Sequence, residues 1–221
     1  MQLVIGSKNY SSWSMRPWML LSHFDLDFKE VKVALFKEGY KRELAKYSPT
    51  GKVPVLLDGG IEIWDSLAIC EYVSEQYLGG AGWPQNLLAR ARCRAVSAEM
   101  HSSFTSIRTE LPMNCRAKRK LAISSSVKKE IARIDEIWAG SIESSGGPYL
   151  FGEFSIADCM YAPIVSRFET YNVNVSVEAQ QYSRAIIAHP SFKAWMQAAA
   201  GESEVIQIGE VGEDMVEDTK Q

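Results

Sequence analysis

A run rich in helix breakers, Gly79-Gly80-Ala81-Gly82-Trp83-Pro84, divides the chain into two stretches whose apolar residues recur with different periods. Before it, short strand and helix patterns alternate. Leu3-Val4-Ile5, ended by Gly6, predicts a buried strand. Met15 to Phe24 predicts a helix capped by Ser14, with Pro17 tolerated in the first turn. Phe28 to Val33 alternates apolar and charged residues as a strand does, and Gly39 to Tyr47 is a short helix or irregular segment. Val53 to Leu57 and Ile61 to Ile63 predict two strands joined by a tight turn at Asp58-Gly59-Gly60. A helix begins at Ser66, so the order is β-α-β-α-β-β-α.

Beyond the break, strand signals nearly vanish. Leu87 to about Glu110 predicts one long helix, stopped or bent at Pro112. Val127, Ile131, Ile134 and Trp138 form a single apolar stripe on another helix, which Gly146-Gly147-Pro148 ends. Ser155-Ile156-Ala157-Asp158 has the spacing of a capping box. Ile186 to Ala200 is one helix or a pair broken near His189-Pro190. The fold class is therefore α/β followed by all-α: a domain over residues 1–78, a linker over 79–85 and a helical domain over 86–201. Residues 202–221 hold seven acids and one lysine, and are expected to form a solvated, poorly ordered tail.

Several function classes are disfavoured. No apolar run reaches the ~18–20 residues of a membrane span, and the N-terminus lacks the basic and long apolar regions of a secretory signal. A cytoplasmic protein without a membrane partner is expected. Cys70, Cys93, Cys115 and Cys159 form no CxxC, which argues against a zinc ribbon and a dithiol redox site. His23, His101 and His189 are scattered, so no metal site is expected. The cluster Arg116-Ala117-Lys118-Arg119-Lys120 stands without interleaved aromatics, and is expected to be a solvated helix or loop rather than a nucleic-acid interface.

Three motifs in order carry a family resemblance. Ser11-Ser12-Trp13-Ser14-Met15-Arg16 resembles the Ser-Ser-x-x-x-Arg segment of serine-type, zeta- and theta-like cytosolic glutathione transferases. Ser48-Pro49-Thr50-Gly51-Lys52-Val53-Pro54, followed by Asp65-Ser66, resembles their Asn-Pro-x-x-Lys-Val-Pro and acidic-Ser pair, and Phe154 to Asp158 their helical-domain capping box. The resemblance covers residues 1–200. It implies a thioredoxin-like N-terminal domain, a helical C-terminal domain, a homodimer and glutathione as co-substrate, with a role in detoxification.

It also implies roles for residues. A cis Val53-Pro54 peptide would offer the Val53 N–H and C=O to the cysteine backbone of glutathione. Ser66 at a helix N-terminus would hold the γ-glutamyl carboxylate, and Asp65 the ammonium. Lys52, and less securely Lys37, would face the glycine carboxylate. Ser11 or Ser12 would donate to the sulfur, with Ser11 matching the zeta and tau spacing and Ser12 the theta spacing. Arg16 would support the loop, add positive potential, or simply form a surface or structural salt bridge. Trp13 stands where zeta isomerases usually carry Cys, which disfavours cysteine-dependent routes. Met100, His101, Phe104, Arg108, Tyr161 and Arg167 are candidates to line a second-substrate pocket or simply to pack. The expected activity is addition of activated glutathione to a small hydrophobic electrophile. Glutathione-dependent cis-trans isomerisation and non-catalytic glutathione binding or scaffolding are the alternatives.

Overall fold

The computed structural model describes residues 1–215; the last six residues of the acidic tail lie outside the described residues. Strands β1 (Gln2–Ile5), β2 (Lys29–Lys32), β3 (Val55–Asp58) and β4 (Ile61–Trp64) form one sheet in the order β2-β1-β3-β4. β1 runs parallel to β2 and antiparallel to β3, and β3 is antiparallel to β4. Leu3, Val4 and Ile5 are fully buried, as an interior strand covered on both faces requires. β2 lies at the edge, and its lysines and glutamate suit that exposed position. Gly59 and Gly60 both have positive φ (55° and 89°), which lets a two-residue turn match the twist of β3 and β4. Helices α1 (Ser12–His23), α2 (Tyr40–Leu44) and α3 (Ser66–Leu78) complete the thioredoxin-like unit in the order expected.

The remaining helices are α4 (Leu87–Ser102), α5 (Thr105–Glu110), α6 (Ser125–Ser145), α7 (Ile156–Tyr171), α8 (Val177–Ala188) and α9 (Pro190–Ala200). Two-residue strands β5 (Arg119–Lys120) and β6 (Glu213–Asp214) pair antiparallel beside them. α7 is buried along nearly its whole length and packs against α1 and α4, so one core is continuous across both halves. The α6 stripe behaves as its period demands: Val127, Ile131, Ile134 and Trp138 are all buried.

Three expectations about the helices need correction. α1 begins at Ser12, so Ser11 rather than Ser14 is its N-cap, and Pro17 falls in the second turn. The Ser14 hydroxyl is occupied elsewhere, accepting from the Gly6 N–H at 3.2 Å and lying 2.7 Å from Ser11 Oγ. The long helix from Leu87 to Glu110 is two helices, because Phe104 turns left-handed (φ 60°) to bury its ring. The Glu130 carboxylate of α6 then accepts from the exposed N–H groups of Ser106 and Ile107, a cap supplied from across the bundle.

The acidic tail is not solvated along its length, and part of the basic cluster holds it: Arg116 and Arg119 contact the tail, while Lys118 pairs with Glu169 of α7. Glu202 accepts from Ser7 Oγ and from the N–H groups of Lys8 and Asn9, and pairs with Lys32 at 2.8 Å. Arg116 donates to the carbonyls of Glu202 and Glu204, while Arg119 pairs with Glu210 and Asp214. Glu202 and Glu210 therefore tie the segment to the N-terminal loop, and residues 213–215 lie against β5. Arg119 and its two carboxylates, more than 90 residues apart in sequence, make the charged part of this contact.

Candidate active site

The Val53-Pro54 peptide is cis and precedes β3. Among the described residues neither the N–H nor the C=O of Val53 makes a hydrogen bond, although both belong to a half-buried residue. Backbone groups in that position need water or a ligand as partner. The next feature is the start of α3. Asp65 sits at φ 75°, a left-handed conformation costing on the order of 1–3 kcal/mol in a residue with a side chain. Its Oδ1 accepts from the N–H groups of Leu67 (2.9 Å) and Ala68 (3.2 Å), and its Oδ2 lies 3.0 Å from His101 Nε2. The Ser66 N–H is left uncommitted among the described residues, at the positive end of a 13-residue helix. Behind it, the fully buried Arg16 guanidinium reaches Ser66 Oγ at 3.4 Å. Burial, with the nearby charges of Arg108 and Arg167, holds Arg16 well below the usual arginine range.

The serine loop lies across from this feature. Ser11 Oγ accepts from the Ser14 N–H at 3.4 Å, and Ser12 Oγ accepts from Arg167 Nη2 at 3.2 Å. Trp13 separates two adjoining cavities. Both the Arg16 and the Arg108 guanidinium groups lie over its ring, 4.1 Å and 4.6 Å from the ring centre, with the His101 ring edge-on at 5.3 Å. One cavity, about 420 Å³, is lined by Trp13, Lys52, Val53, Pro54, Asp65 and Ser66, among others. The other, about 640 Å³, contains Ser11, Ser12 and Trp13, with Lys52 and Val53 shared between the two. Its apolar wall comes from both halves of the chain, with Phe36 and Tyr40 facing Met113 and Ile208.

Seven of the eight sequence-predicted site residues thus line these cavities: Ser11, Ser12, Lys52, Val53, Pro54, Asp65 and Ser66. Lys37 does not. It is exposed and turned toward Glu204 at 3.5 Å, because the C-terminal segment brings that carboxylate beside it. Of the second-pocket candidates, Arg108 and Arg167 line the larger cavity, while Met100, Phe104 and Tyr161 are core. His101 contacts Asp65 and Trp13 instead. The wall residues Tyr10, Phe36, Ile206 and Ile208 had no sequence signal, since nothing local distinguishes an apolar lining residue from a packed one.

No thiol of the chain is poised for chemistry. Burial pushes Cys93 up to about 12 and Cys115 up to about 11, and raises Cys70 and Cys159 further. Among the described residues no group of three His, Cys, Asp or Glu side chains could hold a metal ion.

Residues 10–76 match the glutathione S-transferase N-terminal domain, and residues 94–198 match the glutathione S-transferase C-terminal domain. The chain is 30% identical over 171 residues to glutathione S-transferase 1 of Dianthus caryophyllus, covering 74% of this chain and 75% of that one. It is 27% identical over 209 residues to maleylacetoacetate isomerase of Rattus norvegicus, covering 86% and 90%. Among solved structures it resembles a sphingomonad glutathione S-transferase complexed with glutathione, at TM-score 0.66 and 25% identity, over 91% of this chain and all of that one.

Proposed function

The chain belongs to the glutathione S-transferase family, and we propose that it binds glutathione along the smaller cavity and activates its thiol at the serine loop. The observation that carries this is the pair of uncommitted Val53 peptide groups facing the same cavity as Ser66, whose N–H is uncommitted at the start of α3. An extended peptide ligand satisfies the first as an added strand would, and its γ-glutamyl carboxylate satisfies the second. Asp65 accepts the ligand ammonium, and Lys52 pairs with the glycine carboxylate.

Glutathione supplies the nucleophile. A free thiol titrates near ~8.5, so little thiolate exists at neutral pH; a hydroxyl donating to the sulfur favours the anion. The thiol proton leaves to water, and the thiolate forms the S–C bond on an electrophile in the larger cavity. Departure of a leaving group completes conjugation. Elimination of the thiolate after rotation of the adduct completes isomerisation, a second route favoured by the extent of the match to the rat isomerase. The apolar wall fits a small hydrophobic electrophile, consistent with detoxification. The decisive variant is S11A/S12A. It should lower kcat by about 10²-fold or more while the glutathione KM changes less than threefold, as expected when a bond forms chiefly to the activated state. Unchanged kcat overturns the serine chemistry, and glutathione binding without turnover in the wild type makes the chain a binding or scaffold protein.

A cytoplasmic homodimer completes the proposal. The four cysteines are unpaired, as a reducing compartment allows, and among the described residues no helix is long and apolar enough to cross a membrane. Ile61 and Trp64 on β4 and Tyr77 on α3 are 49%, 47% and 41% exposed, and Leu87 and Leu88 at the start of α4 are more exposed still. Such apolar side chains are the material of a subunit interface. I61E/L88E should sediment at half the wild-type mass; a wild type that is monomeric at micromolar concentration contradicts the dimer.

A further inference from the structure

We propose that Arg167 is a positioning residue acting through Ser12, so that Ser12 rather than Ser11 is the principal hydroxyl facing the bound thiolate. The inference rests on the thiolate chemistry proposed above. The two serines differ in what already holds them. Ser11 caps α1 and shares its oxygen with both the N–H and the hydroxyl of Ser14, so its position serves the helix start. Ser12 Oγ accepts from Arg167 Nη2 and, among the described residues, makes no other hydrogen bond. A guanidinium has donors only, so a hydroxyl accepting from it must aim its own proton elsewhere. Ser12 is otherwise buried, and the cavity is its open side.

Arg167 is built to hold that arrangement. Its Nε donates to the Leu111 carbonyl at 2.9 Å and its Nη1 to the Pro163 carbonyl at 3.2 Å, which delivers Nη2 to Ser12. No carboxylate forms an ion pair with it among the described residues. The titratable groups that act on it are Arg108, the Cys115 thiol and Tyr171, none of them anionic at neutral pH. Burial and the Arg108 charge lower Arg167 to about 10, so it remains a cation there. An uncompensated cation behind a hydroxyl polarises its O–H and strengthens the bond it gives to an anion.

The test is the thiol pKa of bound glutathione, followed by ultraviolet thiolate absorbance in wild type, S11A, S12A, R167M, R167K and S12A/R167M. S12A and R167M should each raise that pKa by about one unit, the size of one hydrogen bond. S11A should raise it less than half as much. In the S12A background R167M should add nothing, because Arg167 acts through the missing hydroxyl. R167K keeps the charge but not the fork, so it should fall between wild type and R167M, and it stands in if R167M fails to fold. A shift confined to S11A, or an R167M shift that adds to S12A, overturns the proposal. So does an unchanged thiol pKa in R167M with a raised KM for a carboxylate-bearing electrophile, which would make Arg167 a second-substrate ligand. A wild-type thiol that titrates like free glutathione instead overturns the activation chemistry itself.

Discussion

Replacing Asp158 by alanine should lower the unfolding free energy by about 3–5 kcal/mol, the largest stability loss expected of a single substitution here. The carboxylate is fully buried at the start of α7. Its Oδ2 accepts from the Ser155 N–H (2.8 Å) and Ser155 hydroxyl (2.9 Å), and its Oδ1 from the Leu150 N–H (3.2 Å). Alanine leaves all three donors without a partner in a site closed to water. Because α7 is the helix on which both halves pack, the loss is global rather than a frayed end. For a chain of this size the melting temperature should fall by roughly 8–15 °C. Burial raises the Asp158 carboxyl to about 6, against the lowering effect of its hydrogen bonds. A carboxyl raised on folding contributes stability that is lost as pH rises through the folded value. Wild type should therefore lose stability relative to D158N between about pH 4 and pH 6. A melt unchanged in D158A contradicts this role.

The second large effect is at Glu202. E202A should cost about 2–4 kcal/mol, because one carboxylate holds the Ser7 hydroxyl, two backbone N–H groups and Lys32 together. Burial acts to raise this carboxyl, but the bonds from Lys32, Ser7, Lys8 and Asn9 outweigh it and hold the group below its usual range. The sign is then fixed. The folded pKa lies below the unfolded one, so the stabilisation is complete above about 4.5 and is lost as pH falls through the folded value. Denaturant titrations from pH 7 to pH 3 should show a slope in wild type that E202Q flattens. The turn held by Glu202 leads directly into Ser11, whose N–H donates to the Ser7 carbonyl at 2.8 Å. Loosening it should also lower turnover, with a smaller effect on glutathione affinity. An E202A protein as stable as wild type would mean that the C-terminal segment is merely resting on the surface.

The sequence was legible wherever the physics is local. The β-α-β-α-β-β-α order follows from period, turn glycines and caps, and the α6 stripe from 3.6-residue spacing. Val53, Pro54, Asp65 and Ser66 were singled out by their resemblance to two short family motifs, and β3 and β4 bring those two motifs to one cavity. What stayed hidden was non-local. Glu130 capping α5, Asp135 accepting from Ser176 at the start of α8, and Glu202 gripping the first loop each join residues more than twenty positions apart. A charge run read alone looks solvated; Arg116 and Arg119 of the basic run instead hold the acidic tail, whose Glu202 and Glu204 also reach Lys32. His23 and His189, scattered in sequence, lie 3.0 Å apart for the same reason. The guanidinium that reaches Ser12 is likewise non-local, arriving with Arg167 on α7.

The central claim is that this site turns bound glutathione into a thiolate, and the titration of wild-type protein saturated with glutathione tests it most directly. The expected result is a thiol pKa at least one unit below the free value of ~8.5, seen as thiolate absorbance that persists at neutral pH. Saturating binding with a thiol that titrates at the free value would contradict it.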